Sequence, residues 1–188
     1  NSSEMKPSFE EIIMKKTVLT IFTILGLVFF SSNSFAFSVS VGLPMNHTFS
    51  DSNVAESDGT SGYLIGVQLP FLIGLGMDSY KTKIKSSSPI DLATNMYNIY
   101  YKFPIPLLNF VIGLGTGNNK LECSGCDDTY KQGSATQWYT SIGMPIIPFF
   151  DIHFSYRSIT SKNVTVKSND SKLDLSGNVT GVGIAFNF

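Results

Sequence analysis

The chain has 188 residues and a formal net charge of −1, which is enough for one domain of ordinary size and too little for two well-filled cores. Charged residues make up 14% against 43% hydrophobic, well below the roughly 25% charged residues of soluble globular proteins, so part of the surface faces something other than water. This charge balance offers nothing to attract a nucleic acid, and the 15 Phe and 8 Tyr favour strands over helices.

At the start of the chain, residues 1–13 have neither targeting nor core character and are expected to be an upstream translation artefact, with the natural start at Met14. Met14-Lys15-Lys16 is a basic n-region, Val18 to Phe30 a short apolar h-region, and Ser34-Phe35-Ala36 places small residues around a cleavage site. That is the arrangement of a secretory signal peptide over 14–36. The apolar run falls short of the ~20 residues a membrane helix needs. The mature domain is therefore expected over 37–188, in an oxidising compartment where Cys123 and Cys126 pair as a local disulfide at a loop tip. Zinc would require about four ligands and thiol redox work a thioredoxin-like context. The loop supplies neither, so no metal and no cofactor is expected.

A membrane protein without spanning helices must be a closed barrel, because no other fold satisfies its backbone polar groups in lipid. The mature chain shows the required alternation, apolar against small or polar, in segment after segment. Phe37, Val39, Val41 and Leu43 alternate with Ser38, Ser40 and Gly42; Tyr63, Ile65, Val67 and Leu69 with Gly66 and Gln68; Ile73, Leu75 and Met77 with Gly74, Gly76 and Asp78. Tyr97, Ile99, Tyr101 and Phe103 then oppose Asn98, Tyr100 and Lys102, and Phe110, Ile112 and Leu114 oppose Gly113 and Gly115. The sixth segment sets Trp138, Ile142 and Met144 against Gln137, Ser141 and Gly143. The seventh sets Phe150, Ile152, Phe154 and Tyr156 against Asp151, His153, Ser155 and Arg157, and the last sets Val182, Ile184, Phe186 and Phe188 against Gly181, Gly183, Ala185 and Asn187.

The connections alternate too. Those around Pro70, at Pro104-Ile105-Pro106 and at Pro145 to Pro148 are tight and apolar; Met45 to Ser61, Ser86 to Asp91, Gly117 to Gln132 and Ser161 to Lys172 are long and polar. An up-and-down topology is implied, with both termini on the periplasmic side of the tight turns and four loops outside. Pro44 sits awkwardly in the first strand, since it removes a ladder hydrogen bond, and marks a bulge or the strand's top. The mid-strand charges Asp78, Lys102, Asp151 and Arg157 all have the parity of the non-oily face; Lys or Arg facing lipid at the midplane would cost about 2–4 kcal/mol. They are expected to form, with His153, a polar lumen network with Gln68, Gln137, Tyr100 and Tyr139, the inward glycines at 74, 76, 113, 115, 181 and 183 making room.

Across Phe37 to Phe188 the sequence resembles the small eight-stranded outer-membrane barrels of Gram-negative bacteria, the OmpA/OmpX type. Gly183-Ile184-Ala185-Phe186-Asn187-Phe188 resembles the signal read by the barrel-assembly machinery, a glycine followed by two aromatics two apart, although Gly181 stands where that pattern usually has a polar residue. Asp151 to Ser158 resembles the penultimate strand of such barrels. The expected fold class is all-β: an eight-stranded antiparallel up-and-down transmembrane β-barrel. The resemblance implies outer-membrane lipid, lipopolysaccharide and the assembly machinery as partners, and a structural or surface-interaction role through the outer loops.

Three other readings stay open at this point. His153 and Ser155 share a strand face, as a nucleophile and its base would, and resemble the His-x-Ser of outer-membrane lipid A deacylases. Here, however, Ile152 and Tyr156 stand where that family usually has Arg and Asn, and the parity of both candidates is inward. A narrow ion or small-solute channel is the second reading. The third, a secreted soluble barrel, would have to turn its rows of glycine toward water.

Overall fold

The computed structural model describes residues 37–188 apart from 71, 106 and 148. The expected signal segment and the residues before it lie outside the described residues. In chain order the elements are β1 (Ser38–Phe49), β2 (Ser57–Gln68), β3 (Ile73–Ile84), β4 (Ile90–Ile105), β5 (Leu108–Glu122), a one-turn helix α1 (Cys126–Thr129), β6 (Tyr130–Lys131), β7 (Gly133–Ile147), β8 (Phe150–Thr160), β9 (Val164–Val166), β10 (Lys172–Leu173) and β11 (Gly177–Asn187). Eight of the strands close an antiparallel barrel in the order β1-β11-β8-β7-β5-β4-β3-β2, and β10-β9-β6 make a small separate sheet. The closing pair, β1 with β11, is hydrogen-bonded from Ser38 opposite Asn187 up to Phe49 opposite Gly177.

The dyad alternation determines which side chains face out. Val41, Ile65, Leu75, Ile99, Leu114, Ile142, Phe154 and Ile184, one from each barrel strand, are all exposed. Soluble monomers rarely expose a contiguous apolar surface beyond a few hundred Å², and a closed apolar belt is what hydrocarbon requires. The opposite face turns Ser38, Gln68, Asp78, Asn98, Gln137, Asp151, Ser155 and Arg157 into the lumen, all buried.

The tight turns have an unusual backbone. Leu72 and Leu107 both have φ 66°, the left-handed region, which costs an L-residue roughly 1–2 kcal/mol and is normally left to glycine. At the opposite end the strands run further than the alternation foretold. The first long connection is only 50–56 and the third is 123–132, while β3 and β4 are joined by 85–89; the fourth, 161–176, is longer than expected. The strand ends were hidden because above the apolar belt the outward positions meet water and become Ser61, Asn95, Thr136 and Ser158, so the oily half of the alternation disappears while the strands continue. Pro44 lies at a bulge: the register of β1 against β11 shifts between Pro44 and Asn46. One extra residue reverses the facing of the strand beyond it, and His47 and Phe49 point inward and are buried.

The loop end is packed rather than loose. Phe49, Ala55, Leu92, Leu121, Cys126, Val164 and Leu175 form a buried apolar cluster, with Ile84, Ile90, Cys123, Tyr130 and Leu173 against it. Full burial of a single Leu such as Leu92 stabilises by about 1.5–3 kcal/mol. The long polar connections are thus held at their base by a shared core, to which three of them contribute Ala55, Cys126, and Val164 with Leu175, while Phe49, Leu92 and Leu121 come from the strand ends.

Candidate functional site

Three tiers occupy the space inside and above the barrel. The lowest, toward the tight turns, holds a cavity of about 80 Å³ lined by Ser40, Tyr100, Lys102, Tyr139, Asp151 and His153 among others. Its roof is an ion pair. Arg157 donates from Nε to Asp78 Oδ2 at 2.9 Å and from Nη2 to Oδ1 at 3.3 Å, and the guanidinium lies 4.8 Å from the centre of the Tyr139 ring. The Asp78 carboxylate also accepts from Asn98 at 3.0 Å and from Gln137 at 2.7 Å. Both charges are nearly inaccessible, and a buried pair holds only when its remaining lone pairs and protons are met in this way.

The structure brings Asp78 and Arg157 together and sets the other expected lumen residues below them. Asp151 Oδ2 accepts from Asn109 at 2.5 Å and from Asn187 at 3.0 Å, while Lys102 and His153 line the cavity. Glycine supplies the space. A Cβ at Gly74 would run into the Tyr100 ring, one at Gly113 into Tyr139, and one at Gly183 into His153. Ser155 is already engaged: its Oγ accepts from Arg157 Nη1 at 2.5 Å and donates to the Gly181 carbonyl at 3.4 Å. Among the described residues no hydrogen bond joins it to His153.

The middle tier is apolar. Leu64, Tyr80, Met96, Ala135, Ile159 and Val179 form a buried cluster across the lumen above the ion pair, and Met96 is wholly inaccessible. Just above, His47 Nδ1 is hydrogen-bonded with Thr82 Oγ1 at 2.8 Å, and its ring lies 4.4 Å from that of Phe49 and edge-on to Tyr80. Sequence reading missed His47 and Asn109, and put Asn187 on the inward face without a partner. The first lay in an expected loop beyond the Pro44 bulge, whose reversal of facing the parity does not show; the two asparagines have inward parity but stand beside the turns, where polar residues carry little signal.

The third tier is the loop end. Cys123 and Cys126 form a disulfide that places Cys126 in the apolar cluster. The four connections are tied to one another. Lys85 bonds Glu56 at 3.0 Å and Lys131 bonds Asp170 at 3.1 Å, Ser50 N–H donates to Ser176 C=O, and β6 pairs with β9. The exposed ion pairs contribute little each, about 0–1 kcal/mol; the shared core and the backbone pairing hold this end together. In the last connection the Ser176 hydroxyl and N–H hold the Asp174 carboxyl below the usual carboxylate range.

No family model and no curated protein matches the sequence. Solved structures do match in fold. Neisserial surface protein A superposes with a TM-score of 0.57 at 11% identity, covering 81% of this chain and 96% of that one. Escherichia coli outer membrane protein W gives 0.51 at 9% identity, with 84% and 100% covered. The chain has the eight-stranded outer-membrane barrel fold. The N-terminal barrel domain of Pseudomonas aeruginosa OprF agrees, with a TM-score of 0.50, 12% identity and coverage of 82% and 98%. At these identities the likeness speaks for the outer-membrane barrel architecture alone, so any activity has to be argued from this chain's own side chains.

Proposed function

We propose that the protein is a sealed barrel in the outer membrane of a Gram-negative bacterium, anchored by its belt, whose loop end is a folded platform for contact with a ligand outside the cell. The observation that carries this reading is the apolar tier of Leu64, Tyr80, Met96, Ala135, Ile159 and Val179. Eight strands enclose a space that side chains can fill, and here five apolar side chains pack around the Tyr80 ring, whose hydroxyl is the cluster's single polar group. The lower cavity is then a blind pocket, which favours an anchor over a channel. A hydrolytic role is disfavoured because Ser155 Oγ is taken by Arg157 and the Gly181 carbonyl, inside a wall that a lipid substrate would have to cross. In this reading the tight turns and both ends of the mature chain lie on the periplasmic side, and Gly183, Phe186 and Phe188 present the assembly signal at the end of β11.

The platform is tested by binding. Cells displaying the protein are expected to retain an immobilised panel of surface polysaccharides and extracellular matrix proteins better than cells lacking it. Replacing the exposed Asp127, Lys131 and Asp170 with alanine together should abolish that gain while the heat-dependent gel mobility of the folded barrel persists. Equal retention by all three cell types would end the surface-contact reading.

A further inference from the structure

We propose that the tight-turn end is not a set of solvent-facing hairpins but a membrane-immersed collar, its turn side chains seated among the acyl chains of the adjacent leaflet. The inference rests on the membrane-barrel reading and extends it to the barrel's depth in the bilayer.

Three observations point the same way. First, the turns carry no charge at all: Leu69 to Ile73, Phe103 to Phe110 and Met144 to Phe150 contain no Asp, Glu, Lys or Arg. Among the described turn residues Leu107 is 89% exposed and Phe149 68%, with Ile105, Ile146 and Ile147 exposed beside them.

Second, the backbone at Leu72 and Leu107 is left-handed. Glycine or asparagine adopts that conformation with least strain and is the common choice in short hairpin connections. A leucine there is disfavoured by its backbone and, at Leu107, in water by its exposed side chain as well. Lipid around the turn removes the second objection and makes the apolar side chain favourable.

Third, the belt is too short without the turns. Its upper edge is set by Tyr63, Tyr97, Trp138 and Tyr156, above which the outward positions are Ser61, Asn95, Thr136 and Ser158. Even counted as far as Ile105, inside the turn segment, Tyr97 to Ile105 is about 8 residues, which at ~3.3 Å each and a tilt of ~40° gives roughly 20 Å of height. A barrel's apolar band is about 25 Å tall. The band cannot grow upward into a polar collar, so it completes itself downward, through the turns. The apolar surface is also continuous there: Phe103 and Phe110 pack at 5.5 Å, and Phe150 and Phe186 at 5.3 Å, immediately above the turn tips.

The experiment uses tryptophan as a depth reporter. Trp138 is the chain's single tryptophan, so Trp138→Phe provides a silent background for Leu107→Trp, Phe149→Trp, the mid-belt control Ile99→Trp and the loop control Ser87→Trp. Each full-length variant is reconstituted into phosphatidylcholine vesicles with or without brominated acyl chains, and folding is checked by heat-dependent gel mobility. Positions 107 and 149 are expected to lose most of their emission to the brominated chains and to resist iodide, as position 99 does, while 87 shows the reverse. Iodide quenching at 107 and 149, with 99 still quenched by lipid, would overturn the collar and leave the barrel reading standing. Failure at 99 as well would sink the barrel reading itself. Shielding at 107 that vanishes when protein is diluted in lipid would assign the surface to a second copy and also overturn the proposal.

Discussion

Below Asp78 the lumen is walled by Ser38, Ser40, Gln68, Ser141 and Asp151 and retains a cavity; above it Met96, Ile159 and Val179 pack together, with Leu64 joining that cluster to the cavity it also lines. The lower half uses glycine to admit the Tyr100, Tyr139 and His153 rings and holds Asp78, Asp151 and Arg157 by hydrogen bonds and an ion pair. The upper half uses complementary apolar volume. Stability in the first therefore depends on partners and in the second on filled space, so equal-sized changes should act differently in the two.

The largest effect is expected at the boundary. Asp78→Ala leaves Arg157 charged, buried and without its carboxylate, which should destabilise by about 3–5 kcal/mol in urea unfolding of the protein refolded in lipid. Asp78→Ala together with Arg157→Ala should recover part of that loss, since no charge is then stranded. Equal losses for the single and double variants would show that the pair does not act as a unit. In the upper half, Met96→Ala should cost about 2–5 kcal/mol through the cavity it opens, and longer apolar replacements should be tolerated better than polar ones. Gly113→Ala in the lower half sharpens the contrast by adding volume. Its Cβ meets the Tyr139 ring, for an expected loss of about 1–3 kcal/mol, and Tyr139→Ala in the same chain should relieve the clash. The smallest effect belongs to the loop end. Cys123→Ser with Cys126→Ser should remove about 2 kcal/mol by loop-closure entropy, read as faster amide exchange around α1 with the barrel strands still protected.

The sequence made the membrane half of the fold legible and the rest obscure for one reason. Alternation is visible only where the two sides of a strand differ. Along β8 the outside is lipid and the inside polar, so Phe150 to Arg157 reveals both faces and the strand. Along the upper part of β4, Asn95 faces water while Thr94 faces the lumen; the two sides are chemically alike and the strand reads as a loop. The bulge at Pro44 had a sequence signal, but its consequence, the inward turn of His47 and Phe49, depends on where the extra residue falls. Asp78 and Arg157 were identifiable as lumen residues by parity. Their mutual contact was not, because neighbours across a barrel depend on strand stagger, which parity does not encode.

The central claim is that apolar packing shuts this lumen midway, and single-molecule conductance in planar bilayers tests it most directly. The unaltered protein is predicted to pass no resolvable current, whereas Leu64→Gly with Met96→Gly, which removes the packing above the lower cavity, should give discrete openings. Steps in the unaltered protein as large as those of the double variant would contradict the account.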